Sequence, residues 1–178
     1  YASGGNTTLV GGEGNDTLHV QAVNVSLDGG NGDNLFIFNT QGQFLGAQTV
    51  IGGTGNDTIQ FTSQVHLFDA NFANVFLDSG NDRVEITGSN NYIELGINAQ
   101  NAGISTVTGG TGINSIIGTA LTDAVTLVGN GDSNYLVGGS NNDSIFGGGN
   151  NDTLIGNAGN DDITVNGTNA SVLGGAGN

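Results

Sequence analysis

The residues of this chain that could do chemistry are aspartates repeated within one nine-residue pattern. The pattern, Gly-Gly-x-Gly-Asn-Asp-x-apolar-x, occurs as GGEGNDTLH (11–19), GGTGNDTIQ (52–60), GGGNNDTLI (147–155) and GNAGNDDIT (156–164). Glycines at positions one, two and four allow positive φ, so carbonyl oxygens can point into the gap between stacked turns. The position-six carboxylate lies beside those carbonyls. Because Ca²⁺ prefers ligand sets made of oxygen alone, the pattern predicts calcium as the cofactor.

Other site chemistries find little support in the residue types. His19 and His66 stand at different repeat positions, and the chain has no cysteine, so a zinc site or a catalytic histidine is not indicated. The serines and aspartates are accounted for by the repeat, which leaves no catalytic triad or glycosidase pair. We therefore expect a protein that is not an enzyme.

The charge balance restricts the partners. The chain carries 16 Asp and Glu against a single cation, Arg83, for a formal net charge of −15. Nucleic acid and anionic membrane surfaces need Lys or Arg, so neither is an expected partner. No apolar run approaches 18 residues, so no membrane span is expected. A carboxylate excess of this size favours metal ions as partners or a strongly solvated surface.

The elements that position these aspartates follow from the period. The copies at 147 and 156 abut, so nine residues is a structural unit, with turn residues at its start and an apolar residue at position eight. A unit of turn and strand reverses the chain once, so two units make one coil of about 18 residues. The sequence predicts an all-β, right-handed parallel β-roll or β-helix solenoid of about ten coils. We expect one domain over 1–178, with an irregular, motif-poor middle at 61–108.

The repeat is interrupted at a few places. Counting in nines puts insertions at 38–42, 95–99 and 127–128 and a shortened repeat at 70–76. Aromatic residues concentrate around the first and last of these, as Phe36, Phe38, Phe44, Phe61, Phe68, Phe72 and Phe76. This cluster indicates either a lateral contact surface or a locally thicker core, and the sequence leaves both open.

In these residues the chain resembles the RTX, or repeats-in-toxin, family, whose GGxGxDxUx nonapeptides form calcium-loaded parallel β-rolls. The resemblance rests above all on the tandem copies that begin at 129, 138, 147 and 156. It implies that a calcium ion lies between two turns one coil apart. Each turn would supply its position-six carboxylate and backbone carbonyls.

Pairing turns one coil apart ranks the implied sites. Asp143 with Asp161 is the best pair, and Asp123 with Asp143 follows, provided that the insertion at 127–128 loops out. Asn134 faces Asp152 on the other flank. The remaining ladder, near the start of the chain, consists of Asp16, Asn34 and Asp57. The glycines expected to shape these turns are Gly12, Gly14, Gly30, Gly53, Gly139 and Gly148.

Two qualifications accompany this ranking. Asn supplies a neutral oxygen, so the sites at Asn34 and Asn134 should be weaker. Asp82 is expected beside His66 and Ser105, so we expect little or no metal within 61–108. The alternative for any turn is a metal-free structure held by glycine geometry and Asn side-chain ladders.

The expected function is an extracellular, calcium-stabilised structural module of a surface-layer, sheath, filament or adhesin protein. Such a module would be secreted or lie at a bacterial cell surface, and would associate with itself or with neighbouring repeats. The alternative is the calcium-dependent folding and export module of a type I-secreted enzyme or toxin. Ice or carbohydrate binding ranks third, because position three offers no file of Thr residues.

Overall fold

The computed structural model describes residues 1–3, 5–39 and 48–177, and nearly all of its regular structure is parallel β-strand. The chain winds into a β-solenoid of about eight turns with about 20 residues each. The strands are β1 (Thr8–Glu13), β2 (Thr17–Val20), β3 (Ser26–Asn31), β4 (Leu35–Phe38), β5 (Thr49–Thr54), β6 (Thr58–Phe61), β7 (His66–Leu67), β8 (Val75–Phe76), β9 (Asp82–Ile86), β10 (Asn91–Glu94), β11 (Ile104–Thr108), β12 (Asn114–Ile117), β13 (Thr126–Val128), β14 (Tyr135–Val137), β15 (Ser144–Phe146), β16 (Thr153–Ala158), β17 (Asp162–Thr164) and β18 (Ser171–Ala176).

Three parallel sheets make the walls of the solenoid. A long sheet of eight strands runs β2-β4-β6-β9-β11-β13-β15-β17 and takes one strand from every turn. A four-stranded sheet, β1-β3-β5-β8, accompanies its first half, and a six-stranded sheet, β7-β10-β12-β14-β16-β18, accompanies the second. The turn between β6 and β9 contributes to all three sheets. Every neighbouring strand pair is parallel, as expected when each turn stacks on the next.

The coil length varies along the chain. Thr8 pairs with Ser26 and Ser144 with Asp162, which gives the predicted 18 residues near both ends. Ser26 pairs with Thr49, and Thr58 pairs with Arg83, 25 residues later. The prediction of about ten uniform 18-residue coils is therefore wrong for the middle, where inserted residues lengthen each coil and reduce the number of turns.

The core is the file of position-eight side chains. Leu27, Val50, Ile59, Ile116 and Leu154 are completely buried, and each pairs in register with its counterpart one coil away. β-Branched and Leu side chains suit this thin slab, because each covers the next along the stack.

Two position-eight predictions are wrong. Leu67, not Phe68, pairs with Ile93, and Phe68 is 52% exposed. Leu127, not Val125, pairs with Val107 and Ile145. The extra residues of that coil lie before β13, between 118 and 124, and not at 127–128.

The aromatic cluster mostly thickens the core. Phe36, Phe38, Phe61 and Phe72 are buried, and the rings of Phe38 and Phe61 stack at 5.4 Å. Phe76 is half exposed, and Phe44 lies outside the described residues.

The insertion at 95–99 begins a short helix, α1 (Ile97–Asn101), which packs beside a 3₁₀ turn, Asp69–Phe72. Asp69 accepts hydrogen bonds from the backbone N–H groups of Gly96, Asn98 and Ala99, at 2.9 to 3.2 Å, which satisfies the free amides at the start of α1. No helix in the described part of the chain is long and apolar enough to cross a membrane.

Candidate metal centres

The position-six residues that precede the strands of the long sheet form a column, which we call the entry flank. Its members are Asp16, Asn34, Asp57, Asp82, Val125, Asp143 and Asp161. The backbone N–H of one member donates to the side-chain oxygen Oδ1 of the member one coil later. Asp57 N–H, for example, donates to Asp82 Oδ1 at 2.7 Å, and Asp143 N–H to Asp161 Oδ1 at 2.9 Å. The predicted ladder of Asp16, Asn34 and Asp57 and the pairing of Asp143 with Asp161 are therefore present in the register.

Position five makes a second ladder in the opposite direction. Asp33 N–H donates to Asn15 Oδ1 at 2.9 Å, and Asn81 N–H donates to Asn56 Oδ1 at 2.8 Å. Successive turns are thus joined by a bond from the earlier turn at position six and a bond from the later turn at position five. The two ladders satisfy backbone donors that would otherwise be lost in a tight turn.

The turns that precede the six-stranded sheet make a column of different composition, which we call the exit flank. Its ladder contains Val65, Asn91, Asn114, Asn134 and Asp152. Asn134 N–H donates to Asp152 Oδ1 at 2.8 Å, so the predicted facing of these two residues is also present. Three amides and one carboxylate occupy this flank, whereas the entry flank is mainly carboxylate.

The Asn side chains close the gap between turns without a metal. Asn114 Nδ2 donates to the carbonyl oxygens of Gly110, Gly112 and Gly129 at 2.9 to 3.1 Å. Asn34 Nδ2 likewise donates to Gly32 O at 2.9 Å. Since Oδ1 of each Asn accepts a backbone N–H, the nitrogen is the atom that faces the glycine carbonyls. Asn34 and Asn134, predicted as weak oxygen ligands, therefore present a hydrogen-bond donor where a ligand was expected.

An Asp in the same position has no hydrogen to offer. Asp16, Asp57, Asp82 and Asp161 each have a buried Oδ2 without a hydrogen-bond partner. A buried carboxylate oxygen that faces other acceptors is costly unless a cation or a proton lies between them.

Glycine makes room for such a cation. A Cβ atom on Gly11 would lie 2.6 Å from Asp16 Oδ2 and 2.5 Å from Gly29 O, the carbonyl one coil later. A Cβ on Gly156 would likewise overlap Asp161 Oδ2 and lie 2.5 Å from Gly174 O. Each cradle thus brings a carboxylate oxygen and a carbonyl oxygen to one point, and oxygen is the ligand that Ca²⁺ takes. The residues present fit a calcium ion.

Asp143 and Asp152 are better satisfied by the protein itself. Asp143 Oδ1 accepts from Val125 N–H at 2.9 Å and Oδ2 from Gly139 N–H at 2.6 Å. Asp152 accepts from the backbone of Asn134 and, at 3.2 Å, from Gly149. Of the pair ranked first by the sequence, Asp161 is the member with a carboxylate oxygen that needs a partner.

The pKa values of three entry-flank carboxyls respond to this environment. Burial raises the pKa of Asp82 to about 6, and the charges of Asp57 and Asp78 add to the rise against a hydrogen bond from Asp57. Burial also raises the pKa of Asp57 and of Asp143, against the hydrogen bonds that each accepts. These carboxylates therefore hold protons more tightly than usual when no cation neutralises them.

Two predicted neighbours are wrong. Asp123 is exposed, and Val125 stands opposite Asp143 in its place, because the extra residues of this coil precede position 125. Asp82 lies one coil from Asp57, not from His66, which pairs with Tyr92 on the six-stranded sheet. Ser105 does adjoin Asp82, since its hydroxyl donates to Asp82 O at 3.0 Å.

The predicted glycines shape the turns as expected from their type. Gly12, Gly14, Gly30, Gly53 and Gly148 have φ between +89° and +110°. A side chain on Gly30 would overlap Gly12 O, and one on Gly53 would overlap Gly30 O, so this column is confined to glycine by close stacking. Gly139 acts through its N–H, which donates to Asp143.

In the described ranges no three Asp, Glu, His or Cys side chains converge as a metal cluster. A bound cation must therefore combine one or two carboxylates with backbone carbonyls. The structure thus defines a class of protein, a parallel β-solenoid whose turns present oxygen atoms to one another across each coil.

Comparison with family models makes the second step. The model for the RTX calcium-binding nonapeptide repeat matches four copies, over residues 1–22, 44–60 and 128–163. The chain therefore carries RTX calcium-binding nonapeptide repeats, as the sequence pattern predicts. Comparison with curated proteins and with solved structures gave no match.

Proposed function

We propose that this chain is a calcium-stabilised structural repeat module without catalytic activity, in which calcium joins successive turns along the entry flank. The observation that carries the proposal is the set of four buried Oδ2 atoms, on Asp16, Asp57, Asp82 and Asp161, that have no donor. The match to calcium-binding repeats supports the identity of the ion.

Calcium would act on stability and not on a reaction. It would neutralise carboxylates that otherwise repel across a coil by roughly 3–4 kcal/mol at an effective dielectric constant of 20. Because the ion needs two stacked turns, it would bind the folded chain alone and stabilise it by mass action.

We place the module outside the cell, as part of a surface-layer, sheath, filament or adhesin protein that associates with itself or with neighbouring repeats. RTX repeats are typical of secreted proteins, and the net charge of −15 suits a medium rich in calcium. The second candidate is a calcium-dependent folding and export module attached to a secreted enzyme or toxin. The family match favours both equally, and no array on a strand face favours the third, ice or carbohydrate binding.

Calcium removal tests the proposal. The chain is purified, stripped with chelator and followed by far-ultraviolet circular dichroism during a calcium titration at pH 7.5, with magnesium as the control ion. We expect the melting temperature to rise with calcium and to respond less to magnesium, which demands a more rigid octahedral site. An unchanged melting temperature and no measurable calcium uptake would refute the proposal.

A further inference from the structure

The turn 77–82, with the sequence LDSGND, is a poor copy of the repeat. Leu77 and Asp78 stand where the pattern has two glycines, and the turn lies outside the segments matched by the family model. The structure nevertheless places its Asp82 in the entry-flank ladder. β6 pairs with β9 so that Thr58 lies opposite Arg83, which sets Asp57 and Asp82 side by side.

Asp57 and Asp82 are the one pair of ladder neighbours, among the described residues, in which both carboxylates have an orphaned Oδ2. Both side chains are completely buried. Asp57 Oδ1 accepts from Asn34 N–H at 2.8 Å, and Asp82 Oδ1 accepts from Asp57 N–H at 2.7 Å. One oxygen of each carboxylate therefore remains without a donor.

The only Lys or Arg of the chain is directed elsewhere. Arg83 follows Asp82, but its Nε donates to Thr58 Oγ1 at 3.1 Å, across the outer side of the long sheet. Its side chain is exposed, so it does not occupy the interior gap next to the two carboxylates. The negative charge of this pair is thus left for another cation.

Backbone atoms border the same gap. Asp78 has φ of +62°, the conformation that the pattern assigns to its second glycine. A Cβ atom on Gly103 would lie 3.3 Å from Asp82 Oδ2 and 3.7 Å from Asp78 O, so that glycine leaves open the space beside both oxygens. On the preceding coil, a Cβ on Gly52 would overlap Asp57 Oδ2 and lie 3.0 Å from Leu77 Cα. The chain from Leu77 to Asp78 therefore passes next to both carboxylates.

From this geometry we propose that Asp57 and Asp82, with the backbone at Leu77 and Asp78, form a calcium site in the motif-poor middle of the chain. The donors are oxygen only, and two carboxylates with backbone carbonyls are the ligands of a hard divalent ion. The inference rests on the proposed function, because it assigns one further site of the same kind. It replaces the expectation that 61–108 holds little or no metal.

Calcium stoichiometry tests the site, measured by isothermal titration and by metal analysis after equilibrium dialysis. Asp82→Asn and Asp57→Asn are each expected to lower the number of bound ions by one per chain. The matched control is Asp78→Asn, which removes an exposed charge from the same turn but keeps the carbonyl and tolerates positive φ. We expect the control to bind as many ions as the wild type.

Hydrogen exchange on the wild type provides a second readout that needs no variant. Calcium should slow exchange of the amides in 77–82 as well as in the matched repeats. Full stoichiometry in Asp82→Asn, or protection confined to residues outside 77–82, would overturn the site and leave the proposed function intact. A wild-type chain that binds no calcium would overturn both.

Discussion

The exchange Asn114→Asp should convert a metal-free junction into a calcium-dependent one. Asn114 is completely buried, and its Nδ2 donates to three glycine carbonyls and, at 2.9 Å, to Asn134 Oδ1. The variant replaces that donor by a carboxylate oxygen of nearly the same size. Four hydrogen bonds are lost, and a negative charge faces acceptors in the interior.

The expected cost follows from these contacts. Orphaning buried acceptors costs about 1–3 kcal/mol, and an uncompensated buried charge raises the total to roughly 3–5 kcal/mol. For a chain of this size each kcal/mol corresponds to about 2–4 °C, so the melting temperature in chelator should fall by roughly 6–20 °C. Asn114→Ala is the control, because it loses the same hydrogen bonds and adds no charge.

Calcium should separate the two variants. At a concentration 100-fold above its dissociation constant, an ion that binds the folded state alone restores about 2.7 kcal/mol. Differential scanning calorimetry at pH 7.5 is therefore expected to show recovery of Asn114→Asp and none beyond the wild-type gain for Asn114→Ala. The reasoning fails if the two variants melt together in chelator, or if calcium rescues both equally.

The remaining predictions concern pH, glycine and the core. Because burial raises the pKa of Asp82 from 3.8 to about 6, the folded state binds a proton that the unfolded chain lacks between these values, so calcium-free stability should rise by roughly 3 kcal/mol from pH 7 to pH 4; chemical denaturation should show this gain diminished in Asp82→Asn. With calcium the trend should reverse, since protons compete for the same oxygens, and parallel pH profiles with and without the ion would contradict this. Gly11→Ala should abolish the calcium response at Asp16, because the new methyl occupies the cradle, whereas Gly14→Ala, with nothing within 4 Å, should cost only about 1–2 kcal/mol of backbone strain and keep the ion count. Leu136→Ala should lower the free energy of unfolding by about 2–5 kcal/mol with or without calcium, which equilibrium denaturation measures, and a calcium-dependent loss there would be unexpected.

The sequence predicts the parallel solenoid because one apolar residue in nine must be buried, and only stacking buries it. It also predicts the ladder partners wherever copies are spaced by nine, as for Asp143 with Asp161 and Asn134 with Asp152. The failures lie where coils exceed 18 residues. A count in nines cannot tell on which side of a strand the extra residues lie, so Asp123 was placed opposite Asp143 and Asp82 was separated from Asp57.

A different signal would have corrected the second error. Ile59 and Val84 are both apolar residues two positions after an Asp, within GNDTI and GNDRV. Aligning these two segments directly, without counting the residues between them, gives the observed pairing of β6 with β9. The role of Asn was harder to predict, because which atom of an amide faces the carbonyls depends on the ladder bond that its Oδ1 accepts.

The unequal chemistry of the two flanks has a mechanical consequence. Charge accumulates along one edge of the rod, whereas the opposite edge is joined by neutral amides that do not change with the surroundings. When calcium leaves, repulsion acts on one edge alone, and the other edge keeps its spacing. A rod built in this way should bow like a bimetallic strip, so that the calcium level of its medium sets curvature as well as strength.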